Sequence, residues 1–298
     1  MAEQSTNHIL LIEPAEFFSN LETIDTNHFQ KINQEEEKDK IFRKALDEFK
    51  TFEQTLEDNR IHVTTLKGQT GCPDNIFPNW AVTFEDKTMH LFSMMAENRR
   101  LEKLEDHINF LNRVYQTTTD LTEFEKQGLF LEGTSSMVLD RVNKVAYMGL
   151  SPRSNKKIAC RWAEENDYEI IIFETQGHIG KPIYHTDVLM FIGTDVAVIS
   201  TNTIKKEYQS TVKNKLSQTH SIIEITRAQI LNFCGNCMEI KGDNNDLSLI
   251  MSTRAYNAYS GAQKQLLLEH YKKIIHSNLT TIENYGGGSA RCMMMELF

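Results

Sequence analysis

The chain is short of the residues that divide a protein into pieces. It has 5 prolines in 298 residues, and no Pro/Gly/Ser-rich segment with a change of composition on either side. One domain spanning 1–298 is therefore expected, a length that one large core can fill. Cysteine is sparse as well. Cys72, Cys160, Cys234, Cys237 and Cys292 form an odd set in a long chain, which does not suit a disulfide framework. No apolar run approaches the roughly 18 to 20 residues that span a bilayer. The start, MAEQSTNHILLIEP, lacks the basic region and long apolar stretch of a secretory signal. A cytoplasmic, reducing setting with no membrane partner is expected. A basic surplus is missing too: the net charge is -9, which argues against a nucleic-acid partner.

Cofactor signatures are also absent. GGGSA (286–290) is not followed by the Lys-Ser/Thr of a P-loop, and no dinucleotide fingerprint occurs. CGNC (234–237) has redox or zinc spacing, but no second pair supplies four zinc ligands. Its flanks read as β on both sides, so a turn or strand interior is expected. His185 and Asp187 in YHTD offer two metal ligands without an evident third. Neither metal nor cofactor is expected.

What the chain has in abundance is alternation of strands and helices. HILLIEP, IHVTTL, WAVTF, MHLFSM, LFLEG, SMVLD, VAYMGL, YEIIIFET, VLMFIG, DVAVIS, SIIEI, ILNFCG, CMEIK and LSLIMS read as strands. Phe42, Leu46, Phe49, Phe52 and Leu56 recur at helical spacing, after a charge run QEEEKDK that reads as a solvated helix start. Residues 98–115 repeat Leu101, Leu104, Ile108 and Leu111 at helical period. NKKIACRWAEEN and GAQKQLLLEHYKKIIH (261–276) are further helices. The pattern predicts an α/β architecture.

Five unusual stretches punctuate it: CPDNIFPNW around Asp74, LEGTSS around Glu132, IYHTD around His185, CGNC around Asn236, and GGGSARC around Cys292. They recur at roughly 50 to 60 residues, the signature of a repeated or radial architecture. Equivalent strand ends would then bring Asp74, Glu132, His185 and Cys292 to one centre. Cys292 and His185 could form a nucleophile and acid/base pair, with Arg291 beside the thiol. Cys292 could equally be a small buried hydrophobe next to Met293, Met294 and Met295. Two carboxylates aimed at one point suit a planar cation such as guanidinium. Each alone could be a cap or turn residue. The triple glycine reads either as a close approach of backbone to ligand or as a flexible tether.

Read in order, HILLIEPAEF, TNHFQ (26–30), PDNIFPNWAVTF, LEGTSSMVLDR, YMGLSPRS, YHTDVLMFIG, GNCMEI, MSTRAY and GGGSARCMMMELF resemble the guanidino-group-modifying enzymes. This pentein superfamily holds arginine deiminases, dimethylarginine dimethylaminohydrolases and amidinotransferases. The nearest look is to the bacterial citrulline-utilisation hydrolase and arginine-deiminase-related branch. The resemblance implies a five-bladed α/β propeller of ββαβ-type units around a central site. It implies Cys292 as nucleophile, His185 as acid/base and Glu132 as holder of the substrate nitrogens. Asp74, Asp187 and Arg153 match substrate-binding positions, Arg153 facing an α-carboxylate. Arg254 is a second candidate for that carboxylate. Asn79 stands near where some relatives carry a second acid, and Glu13 where the citrulline-type branch usually has Arg. The implied partner is a small arginine or citrulline derivative, and a homodimer is implied as well.

The expected reaction is thiolate attack on an amidine or urea carbon, then hydrolysis of a covalent S-alkyl intermediate. An amidinotransferase and a non-catalytic amino-acid-binding descendant remain as alternatives.

Overall fold

A computed structural model describes residues 3–242 and 244–298, without the side chain of residue 36. Its strands form five three-stranded sheets of one design. The first begins with β1 (His8–Glu13) and β2 (His62–Lys67). The next is β3 (Ala81–Thr83), β4 (Thr88–Leu91) and β5 (Gln116–Asp120). Then come β6 (Met137–Asp140), β7 (Val145–Gly149) and β8 (Glu169–Phe173). The fourth holds β9 (Met190–Ile192), β10 (Val196–Ile199) and β11 (Ser221–Glu224). The fifth holds β12 (Met238–Lys241), β13 (Leu247–Ser252) and β14 (Lys273–Ser277). Finally β15 (Met295–Glu296) returns to pair antiparallel with β1, completing the first sheet.

In every sheet the middle strand runs antiparallel to one neighbour and parallel to the other. A parallel neighbour demands a crossover connection. Helices at Lys38–Asp58, Glu105–Leu111, Lys156–Glu165, Lys206–Leu216 and Gly261–His270 lie within the five crossovers. This is the repeated architecture that the spacing of the polar stretches suggests, with the count of five that the resemblance implies. The middle strands β1 and β10 are covered on both faces, so their cores read as unbroken apolar runs rather than alternating ones. Ile9–Ile12 and Val196–Ile199 are fully buried along their length.

The longest crossover helix shows how one periodic face docks. Ile41, Ala45, Phe49, Phe52 and Leu56 are its buried residues, and it packs on β14 and on the helix Thr280–Gly286 that leads to the triple glycine. Phe49 is completely buried. Phe49→Ala is expected to cost about 3–5 kcal/mol in urea unfolding, through lost burial and an unfilled cavity. A loss below about 1 kcal/mol would mean that this helix does not anchor the fold.

Four segments differ from expectation. The helix expected over 98–115 breaks into Glu97–Arg100 and Glu105–Leu111. The polar Arg99 and Glu102 turn inward and are buried, while Leu101 points outward. A buried ion pair thus overrides the leucine period. The helix expected over 261–276 stops at His270, because residues 273–277 must supply the parallel strand β14. LFLEG forms no strand. Only Leu131 makes an isolated bridge, to Ser154, before a short helix Gly133–Ser136. ILNFCG forms no strand: Ile230 ends the short helix Arg227–Ile230, and residues 231–235 are turn, with Phe233 at positive φ.

Candidate active site

The polar stretches come together where the sheets converge. Cys292 sits in the short helix Ala290–Met293 just before β15. The glycines ahead of it are buried, so the tether reading does not hold. Gly287 has a φ of +64, and a Cβ there would lie 2.6 Å from the Asn27 amide. A Cβ on Gly286 would lie 2.7 Å from the Phe77 ring. Only glycine lets this backbone pass under both groups.

Asn27, Asp74, Phe77, Asn79, Arg99, Arg153, Tyr184, His185 and Cys292 line a narrow cleft. Of the seven residues expected from the sequence, none is more than 7% exposed. The segment between β1 and the first crossover helix lies over it. Asn20 and Thr23 donate to Asp74 Oδ2 at 2.8 and 3.2 Å, and Asn27 Nδ2 donates to the Gly286 carbonyl at 3.1 Å. Asn27, from the TNHFQ stretch, thus lies over the cleft that Cys292 lines.

Around the thiol, Asp187 Oδ2 lies 3.4 Å from Cys292 Sγ and also accepts from Ser135 Oγ at 2.9 Å. Burial, reinforced by the Asp187 carboxylate, pushes the Cys292 thiol up. It is neutral at rest. His185 Nε2 lies 2.8 Å from Glu132 Oε2. Burial holds the imidazole below its ordinary value despite the Glu132 carboxylate, so it too rests neutral. Its tautomer therefore carries the proton on Nε2, toward Glu132. That leaves Nδ1 as a base.

Glu132 is the electrostatic hub. The guanidinium groups of Arg99 and Arg153 approach its Oε2 at 3.5 and 3.7 Å, and the Met95 N–H donates to Oε1 at 3.0 Å. Burial alone would raise its carboxyl. Arg153, His185 and Arg99 overcome that and hold it well below the usual carboxylate range. Asp74 differs: burial wins over Arg99 and its hydrogen bonds, and its carboxyl is raised. Arg153 donates to Thr26 Oγ1 at 2.7 Å and stacks over the Tyr184 ring at 4.9 Å. Arg254 lies elsewhere, its Nε 2.8 Å from Glu283 and its Nη2 bonded to Asn284. His185 and Asp187, a potential metal pair in the sequence, face Glu132 and Cys292 respectively.

A family model described as N,N dimethylarginine dimethylhydrolase, eukaryotic, matches residues 13–298. The chain belongs to that family. No curated protein sequence matches it. Among solved structures, the N-terminal domain of ArgZ, a cyanobacterial arginine dihydrolase, is similar. A form covalently bound to a reaction intermediate has 18% identity and a TM-score of 0.77, over 98% of this chain and 97% of that one. An AgrE variant in complex with L-arginine has 18% identity and a TM-score of 0.77, over 98% of this chain and 40% of that one. A dimethylarginine dimethylaminohydrolase carrying a chlorinated pyridine adduct has 17% identity and a TM-score of 0.68, over 100% of both chains. These likenesses establish the pentein fold for this dimethylhydrolase family member. The family model names the dimethylarginine branch of the superfamily.

Two groups escape the sequence pattern. Arg99 forms a fork with Glu102, at 2.9 and 3.0 Å, and donates to the Phe77 carbonyl at 2.6 Å. Its signal is an Arg and a Glu three apart inside a leucine-periodic segment. Asn236, hidden in the C-x-x-C, touches Cys292 directly.

Proposed function

We propose that this chain, acting over its whole length as one domain, is a cysteine-dependent hydrolase that cleaves a C–N bond at the guanidino carbon of arginine or a methylated arginine. One observation carries the reading. Asp74 Oδ1, Asp187 Oδ1 and His185 Nδ1 are buried and have no hydrogen-bond partner among the described residues. Buried polar atoms are rarely left so. Two carboxylate oxygens and a neutral base are what a guanidinium and its attacking thiol require. Four buried carboxyl groups, Asp74, Glu102, Glu132 and Asp187, outnumber the two buried guanidinium groups Arg99 and Arg153, and burial raises the carboxyls of Asp74 and Glu102. A cationic substrate balances that surplus, whereas a neutral ureido group leaves it uncompensated.

This reading implies the following steps. The substrate cation settles against Asp74 and Asp187 and offsets the charge that disfavours thiolate. His185 Nδ1 takes the Cys292 proton, and the thiolate adds to the guanidino carbon. His185 returns that proton to the leaving nitrogen, the C–N bond breaks, and an S-alkyl thiouronium remains on Cys292. His185 then takes a proton from water. The resulting hydroxide adds to the same carbon, C–S cleavage releases the sulfur, which takes back the proton from His185, and the hydroxyl proton passes to solvent to leave a ureido product.

The test is incubation with arginine, methylarginines, agmatine and citrulline, read by mass spectrometry with Cys292→Ala as control. Cysteine-dependent release of ammonia or a methylamine from a guanidino compound, with citrulline untouched, is the expected result. Turnover of citrulline alone would overturn the assignment of a cationic substrate.

Arg153 is assigned to the α-carboxylate, because it lines the cleft and Arg254 does not. Arg153→Gln is expected to raise KM for an α-amino acid substrate roughly 10- to 100-fold, the loss of a charge-assisted hydrogen bond. Agmatine, which has no carboxylate, serves as the internal control. Equal losses on both compounds would mean that Arg153 serves only to hold Glu132 and the covering segment.

A further inference from the structure

We propose that Asn236 is a positioning residue for the nucleophile, fixing the Cys292 sulfur and stabilising its thiolate. The inference rests on the reading of Cys292 as nucleophile. Asn236 is completely buried. One N–H of its amide donates to Cys292 Sγ at 3.1 Å, and Nδ2 also donates to the Asp187 carbonyl at 3.1 Å. Its Oδ1 accepts from the Cys292 backbone N–H at 3.3 Å. Its own carbonyl accepts from the Arg291 N–H at 3.4 Å. One side chain thus grips the nucleophile by both sulfur and backbone, and ties it to the turn that carries Asp187.

The local backbone is shaped to deliver that amide. Phe233 takes a positive φ of 59°. A Cβ on Gly235 would lie 2.4 Å from the Val188 carbonyl oxygen and 2.7 Å from the Leu189 carbonyl carbon. Only glycine allows the turn to press against the Thr186–Leu189 segment, and that contact sets Asn236 beside the sulfur.

The chemistry follows from the donor count. An asparagine amide has two N–H donors and one carbonyl acceptor, and here both ends are engaged around Cys292. A hydrogen bond to an ionised acceptor is roughly twice as strong as one to a neutral group. The Asn236 donor therefore gains strength as the thiol loses its proton, opposite in sense to the Asp187 carboxylate on the sulfur's other contact. It also holds the sulfur during attack, so its effect belongs to the chemical step rather than to substrate binding. Asn236 is not among the residues that line the cleft.

The test uses Asn236→Ala and Asn236→Asp in the full chain, with melting temperature recorded for each. The rate of Cys292 alkylation by iodoacetamide is followed against pH, with the labelled peptide identified by mass spectrometry. The alkylation midpoint is expected to move up by about one pH unit or more in the alanine variant, and further in the aspartate variant, which adds an anion and removes the donor. kcat is expected to fall roughly 10- to 100-fold with KM changed by less than about threefold. A purely structural role predicts the reverse order, with the near-isosteric aspartate better tolerated and the midpoint unmoved. An unmoved midpoint in either folded variant overturns the proposal, as does failure of both to fold. Retained turnover in Cys292→Ala would instead sink the hydrolase reading and leave the alkylation profile to judge Asn236 alone.

Discussion

A Cys292→Ala variant is expected to fold normally and to lose at least about four orders of magnitude in kcat, because no other group can take over a covalent step. The thiol is small and buried within a four-residue helix. Its removal leaves a cavity of about one methyl group, so the stability change should stay near 1 kcal/mol. The carboxylates remain in place, so substrate affinity should survive, measurable by calorimetry on the inactive variant. Rapid acid quench of the wild type should trap a substrate-derived mass on the peptide containing Cys292. Turnover by the alanine variant near the wild-type rate would remove the covalent mechanism altogether.

Glu132→Gln should produce the second largest effect, and it should act on both rate and stability. Glu132 sits between His185 and two buried guanidinium groups. Neutralising it leaves Arg99 and Arg153 short of a counter-charge, and breaking a buried ion pair costs about 3–5 kcal/mol. It also takes from His185 the carboxylate that keeps the proton on Nε2. Loss of such an orienting carboxylate lowers kcat by roughly 10³- to 10⁴-fold. The pH dependence gives a separate check. The folded-state carboxyl is held below its ordinary value of 4.5, so the stability it contributes is complete above that pH. It is lost as pH falls below 4.5. The wild type should therefore lose more melting temperature than the glutamine variant between pH 5 and acid pH. Parallel acid profiles in the two proteins would mean that Glu132 is not the ionised hub of the site.

The covering segment adds a kinetic consequence. Thr23, Thr26 and Asn27 hold Asp74, Arg153 and the Gly286 carbonyl in a closed cleft. Substrate entry must exchange some of those hydrogen bonds for contacts to the substrate itself, so the cover and the ligand compete for the same groups.

Much of this was legible in the residues themselves. The alternation of apolar runs with amphipathic helices specifies an α/β chain, since local periodicity is a property of neighbours along the sequence. The recurring polar stretches announce a repeated architecture. The motifs single out Cys292, His185 and the carboxylates that the fold gathers around one cleft. Where the reading went astray, a long-range demand overruled a local pattern. Arg99 and Glu102 broke a leucine-periodic helix to bury their ion pair, and residues 273–277 left a helix to complete a parallel sheet. Which arginine faces the cleft, how Glu132 is shared between two guanidinium groups and an imidazole, and that Asn236 grips the sulfur were decided only by tertiary structure. Those relations join groups from different sheets. Their energies depend on distances and burial, which no spacing along the chain encodes.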